Sequence, residues 1–112
     1  MTEKELQYLI RAQIATKPDI RLWRNNVGKM TDARGQVVTF GLCPGSSDLI
    51  GIQSVEITSD MVGQKIGVFV AVEVKSEKGR VSSGQSRYLE IIRKMGGIGI
   101  LARKIEDITQ LF

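Results

Sequence analysis

Two short stretches carry residue types that can act together on a phosphodiester. One is Pro44-Gly45-Ser46-Ser47-Asp48-Leu49-Ile50, and the other is Glu73-Val74-Lys75 at the end of an apolar run. Side chains on an extended strand alternate between faces, so Glu73 and Lys75 are expected on one side and Val74 on the other, in the core. An acid and a base side by side, with a second acid from a neighbouring strand, can hold a divalent cation and a phosphate together. Taken singly, each residue has a plainer reading: Glu73 as a solvated strand-end charge or half of an edge salt bridge, Asp48 as turn chemistry. The combination is what singles them out, because residues 66–72 are all apolar or glycine and the charged pair stands where that run ends.

The composition narrows the chemistry further. The 112 residues contain no histidine and one cysteine, Cys43. Histidine-based metal sites, Ser-His-Asp triads, disulfide frameworks and zinc clusters are therefore excluded. Catalysis would have to run on Asp, Glu, Lys and hydroxyl groups, which points to a hard cation with oxygen ligands. The net charge of +4 is compatible with a phosphate-bearing partner. No apolar run approaches the ~20 residues of a membrane span, and Met1-Thr2-Glu3-Lys4-Glu5 does not resemble a signal-peptide start, so a soluble intracellular protein is expected.

The elements that must position these residues follow from the hydrophobic pattern. Residues 2–16 predict an amphipathic helix with Thr2 as N-cap, Glu3 and Glu5 at its positive end and Leu6, Leu9, Ile10 and Ile14 as the apolar stripe. Strands are expected over 20–27, 36–42 and 48–52, with a polar loop or hairpin turn over 28–35. Residues 54–65 are weakly patterned and read as a surface excursion. Residues 66–74 give the strongest strand signal and are expected to be central and buried on both faces. Ser82 or Ser83 should cap a helix running to about Lys94, Gly96-Gly97 should stop it, and 98–102 should close the sheet. A short helix is expected over 105–112. The summary is a single α/β domain of order α-β-β-β-α-β, a mixed sheet flanked by helices.

Asp48, Glu73-Val74-Lys75 and Gln85, together with Trp23-Arg24-Asn25-Asn26-Val27-Gly28 and Val72 to Ser76, resemble the PD-(D/E)XK nuclease superfamily. More narrowly, the chain resembles a stand-alone, phage-type virus-type replication-repair nuclease (VRR-NUC) domain along nearly its whole length. The fold this implies is the restriction-endonuclease-like core. The superfamily pattern places an acid in the first helix, which Glu3 fits best. Glu5 lies about 200° further around a helix, so the two acids cannot share one face. Ser47 stands where the superfamily pattern has proline.

The resemblance implies Mg²⁺ or Mn²⁺ held by Asp48, Glu73 and the Val74 carbonyl, with Glu3 acting through water or on a second cation. Lys75 would orient the attacking water, Gln85 would position Lys75 or the phosphate, and the products would carry a 5′-phosphate and a 3′-hydroxyl. Arg21, Arg24, Lys29, Arg34, Lys78, Arg80 and Arg87 are candidates for contact with the DNA backbone; Lys29 and Arg34 read equally well as solvated loop charges. The implied activity is a structure-selective endonuclease on branched DNA such as four-way (Holliday) junctions, working as a homodimer in DNA repair. The dimer contact would come from 54–65 or 105–112. The alternatives are a monomeric nickase or flap- or restriction-like nuclease, and a catalytically idle DNA-binding subunit.

Overall fold

A computed structural model describes residues 2–111, so Phe112, the last residue of the expected terminal helix, lies outside the described residues. The chain divides into two compact units, the first ending at Gln53 and the second beginning at Ser54.

The first unit opens with helix α1 (Glu3–Ile14). Its start is fixed by a reciprocal cap: the Glu5 amide donates to Thr2 Oγ1 and the Thr2 amide donates to Glu5 Oε2, both at 3.1 Å. No residue of α1 is buried. Four strands follow: β1 (Ile20–Arg24), β2 (Gly28–Thr31), β3 (Val37–Phe40) and β4 (Leu49–Gln53). β1 pairs antiparallel with β4, with Trp23 opposite Ile50 and Arg24 opposite Leu49. β2 and β3 form a separate antiparallel hairpin, whose turn is tied by Asp32 Oδ1 accepting from the Arg34 and Gln36 amides. Trp23 is partly buried.

The second unit is a β-α-β crossover. β5 (Val70–Val74) and β6 (Ile98–Ala102) run parallel in register, joined through α2 (Ser83–Lys94). Parallel strands need such a crossover, and the connecting helix covers one face of the ladder. Leu89 and Ile92 of α2 and Ile100 and Ala102 of β6 are buried. The helix ends on a Schellman motif: the Gly97 amide donates to Ile92 O at 2.9 Å and the Gly96 amide to Arg93 O at 3.1 Å. This turn requires the left-handed φ of +94° at Gly96, a conformation open to glycine without a Cβ penalty. Two short 3-10 segments, Ser59–Met61 and Ile105–Leu111, complete the unit.

Three expectations need correction. The order α-β-β-β-α-β counts three strands before the second helix, where the hydrophobic pattern itself expects four and the structure has five, and the ladders among the described residues are three two-stranded pieces. β2 arises inside the stretch expected as a loop, since Gly-Lys-Met-Thr has little apolar pattern and is held by pairing with β3. The run 66–74 is not one long strand buried on both faces. The ladder begins at Val70 because β6 supplies only five residues, and exposure along β5 alternates. Val74 is 74% exposed, so its side chain points away from Glu73 but not into a core.

Candidate active site

Each unit gathers part of the expected residue set. In the first, Glu3, Leu6, Gln7 and Ile10 succeed one another at helical spacing along one face of α1, and with Asp48 and Leu49 they line a cleft of about 300 Å³. Two carboxylates, Glu3 and Asp48, therefore share one cleft, while Glu5 is engaged in capping the helix. Gln7 is an amide in this cleft that the sequence alone did not single out; its signal was the four-residue spacing from Glu3.

Asp48 sits at the end of a turn built around one buried side chain. Asn25 is 9% exposed. Its Nδ2 donates to Ser46 Oγ at 2.6 Å and to Ser47 O at 2.9 Å, and its Oδ1 accepts from the Leu42 amide at 2.9 Å. The Asn25 amide donates to Asp48 O at 2.8 Å, carrying the β1–β4 ladder one residue past Arg24. The chain passes close behind: a Cβ on Gly41, whose φ is +84°, would lie 2.6 Å from Val27 Cα.

In the second unit Glu73 and Lys75 do project to the same side, with Lys75 Nζ 3.6 Å from Glu73 Oε1 and both side chains partly buried, at 31% exposed for Glu73 and 22% for Lys75. Gln85 occupies the first turn of α2 and has two engagements. Its Oε1 accepts from the Ser82 amide at 3.0 Å in a capping box, and its Nε2 donates to Glu73 Oε1 at 2.7 Å. Gln85 thus hydrogen-bonds the Glu73 carboxylate, where the resemblance implies Lys75 or the phosphate as its partner. Both Gln85 and Lys75 address Oε1 of Glu73. Ala71, Glu73, Gln85, Tyr88 and Leu89 line a cleft of about 220 Å³. The sequence signal for Tyr88 in this cleft is its spacing of three from Gln85. Partial burial raises its phenol pKa above the ordinary 10.0, which keeps the hydroxyl protonated at neutral pH.

The basic candidates are all exposed. Arg21 and Arg24 fall on opposite faces of β1 by strand alternation, so they cannot serve one DNA strand side by side. Lys78 and Arg80 ride on the turn after Lys75, and that turn is tethered from β6. Arg103 Nη1 donates to the carbonyls of Ser76, Glu77 and Gly79 at 2.7, 3.1 and 2.8 Å. Nothing in the sequence pattern announced this tether.

The donor set suits a hard divalent cation, since every candidate ligand is a carboxylate or carbonyl oxygen. Within neither unit do three acidic or cysteine side chains gather, among the described residues. Among those residues, too, no helix is long and apolar enough to cross a membrane. The sequence model of one family, the VRR-NUC domain, matches residues 1–103. No curated protein and no solved structure matches the chain significantly.

Proposed function

We propose, from the premise that this chain belongs to the VRR-NUC domain family, that it is a metal-dependent, structure-selective DNA endonuclease acting on branched DNA. Family membership makes it a nuclease-type domain with DNA as substrate. The metal dependence, the restriction-endonuclease-like PD-(D/E)XK core, the phage-type origin and the junction preference are the proposal. The observation that supports it best is the Glu73–Lys75–Gln85 cluster on the crossover unit. One hydrogen bond, from Gln85, holds an oxygen of a strand-end carboxylate, and the Lys75 cation stands beside the same oxygen.

In this reading the whole chain works as one catalytic domain. Asp48 and Glu3 of the first unit, and Glu73 with the Val74 carbonyl of the second, would each offer oxygen ligands to Mg²⁺ or Mn²⁺. The cation, when bound, supplies positive charge against the phosphoryl oxygens and acidifies water. Lys75 orients the attacking water and offsets charge developing on the phosphate. Gln85 keeps Glu73 in the required rotamer. Water adds to phosphorus as the bond to the 3′ oxygen breaks; the leaving oxygen takes a proton, and a 5′-phosphate remains. Arg21, Arg24, Lys29, Lys78, Arg80 and Arg87 supply sequence-blind contacts to the DNA backbone. Symmetric nicking of a four-way junction needs two such sites related by a two-fold axis, hence a homodimer.

Wild type and Asp48→Asn should be incubated with labelled duplex, flap and four-way DNA in Mg²⁺ or Mn²⁺. Wild type is expected to cleave the branched substrates and Asp48→Asn to leave them intact. Equal cleavage by both removes Asp48 from the site. Binding without cleavage by wild type, in either metal, favours an idle DNA-binding subunit, and cleavage confined to flaps favours the flap-nuclease alternative.

Gln85 offers a graded test of the same cluster. Gln85→Leu is expected to slow single-turnover cleavage by about 10-fold, in the range found when groups that orient metal ligands are removed. Gln85→Glu should be worse, because it sets a second negative charge against Glu73 Oε1. If the two variants rank the other way, Gln85 does not act through Glu73.

A further inference from the structure

We infer that Asn25 is a positioning residue for Asp48, fixing the backbone on both sides of that carboxylate; this rests on the reading of Asp48 as a metal ligand. The peptide before Asp48 presents the Ser47 carbonyl, which accepts from Asn25 Nδ2 at 2.9 Å. The peptide after it presents the Asp48 carbonyl, which accepts from the Asn25 amide at 2.8 Å. One residue thus holds both peptide planes that flank the Asp48 Cα, and with them the direction in which its side chain leaves the chain. Asp48 lines the cleft it shares with Glu3.

Asparagine is the residue type this post requires. The Leu42 amide is a donor only and the Ser47 carbonyl an acceptor only, so the side chain must offer an acceptor on one branch and a donor on the other. The second Nδ2 hydrogen meets Ser46 Oγ, whose own proton goes to Cys43 O at 2.6 Å. Aspartate would set a carboxylate oxygen against the Ser47 carbonyl, and serine or alanine cannot reach all three partners. Among the described residues no buried side-chain nitrogen or oxygen is left unpaired, and both Nδ2 hydrogens and Oδ1 of Asn25 are engaged in this turn. Asn25 lies one residue past the β1 end and continues the ladder to Asp48, the residue before β4, which puts those bonds at Asp48 itself.

The test compares wild type, Asn25→Ala, Asn25→Ser, Asp48→Asn and the Asn25→Ala/Asp48→Asn double variant. Single-turnover cleavage, Mn²⁺ affinity by electron paramagnetic resonance and metal-free DNA affinity are measured for each. Asn25→Ala is expected to lower cleavage and Mn²⁺ affinity by about 10–100-fold, the usual cost of losing a group that orients a metal ligand, with DNA affinity unchanged. The double variant is expected to be no worse than Asp48→Asn alone, since the two residues act as one unit. Asn25→Ser carries the comparison if Asn25→Ala does not fold. Wild-type cleavage and Mn²⁺ affinity in a folded Asn25 variant, or strictly additive losses, would overturn the inference while leaving the nuclease reading intact. Full cleavage by Asp48→Asn would overturn both.

Discussion

Glu73→Gln is expected to reduce DNA cleavage by roughly 10³-fold or more while leaving the fold and metal-free DNA binding in place. Glutamine is nearly isosteric with glutamate, and its carbonyl oxygen can still accept from Gln85 Nε2, so the hydrogen bond at Oε1 survives. What it cannot do is present an anionic oxygen at the second position, where the NH₂ now stands. Lys75 also loses its counter-charge at 3.6 Å. The loss should therefore sit in the cleavage rate rather than in DNA affinity. Single-turnover kinetics beside a gel-shift titration in EDTA would separate the two. Cleavage within 3-fold of wild type would remove Glu73 from the chemistry.

The second large effect concerns stability. Ile92 is the one described side chain fully out of solvent, at 0% exposure, and it lies on the face of α2 that packs against β6. Ile92→Ala is expected to cost about 2–5 kcal/mol, from lost transfer energy plus the cavity left behind. That is a large share of the stability of a domain this size. The thermal midpoint should fall by ~10 °C or more. The same change should lower activity only in proportion to the unfolded fraction, because Ile92 does not line the Glu73 cleft. A midpoint within 2 °C of wild type would mean that the α2–β6 packing contributes little.

How far the sequence reached is clearest around α2. Ser82, Lys94 and Gly96-Gly97 mark its cap, end and stop by local chemistry, and residues 98–102 were readable as a strand because an apolar run is bounded there by glycine and charge. Glu73 and Lys75 were readable as neighbours because strand alternation is local. What failed was everything set by a partner. The length of β5 depends on the five residues β6 offers, and no property of 66–69 reveals that. β2 exists because β3 pairs with it. Asn25 looked like one polar residue among several after Trp23, since its three acceptor and donor partners lie 17 to 22 residues away. Helix geometry showed that Glu3 and Glu5 cannot share one face, and the structure engages the Glu5 side chain in capping the helix.

Arg103 directs its guanidinium at three main-chain oxygens of the Ser76–Gly79 turn. Arg103 is itself exposed, and its Nη1 is engaged in holding that turn rather than a partner. Lys78 and Arg80, which the tether holds in place before any encounter, should contribute to the salt sensitivity of association beside the other backbone-contact candidates. The ordering entropy of that turn is met when the polypeptide folds, so it is not charged against the complex later.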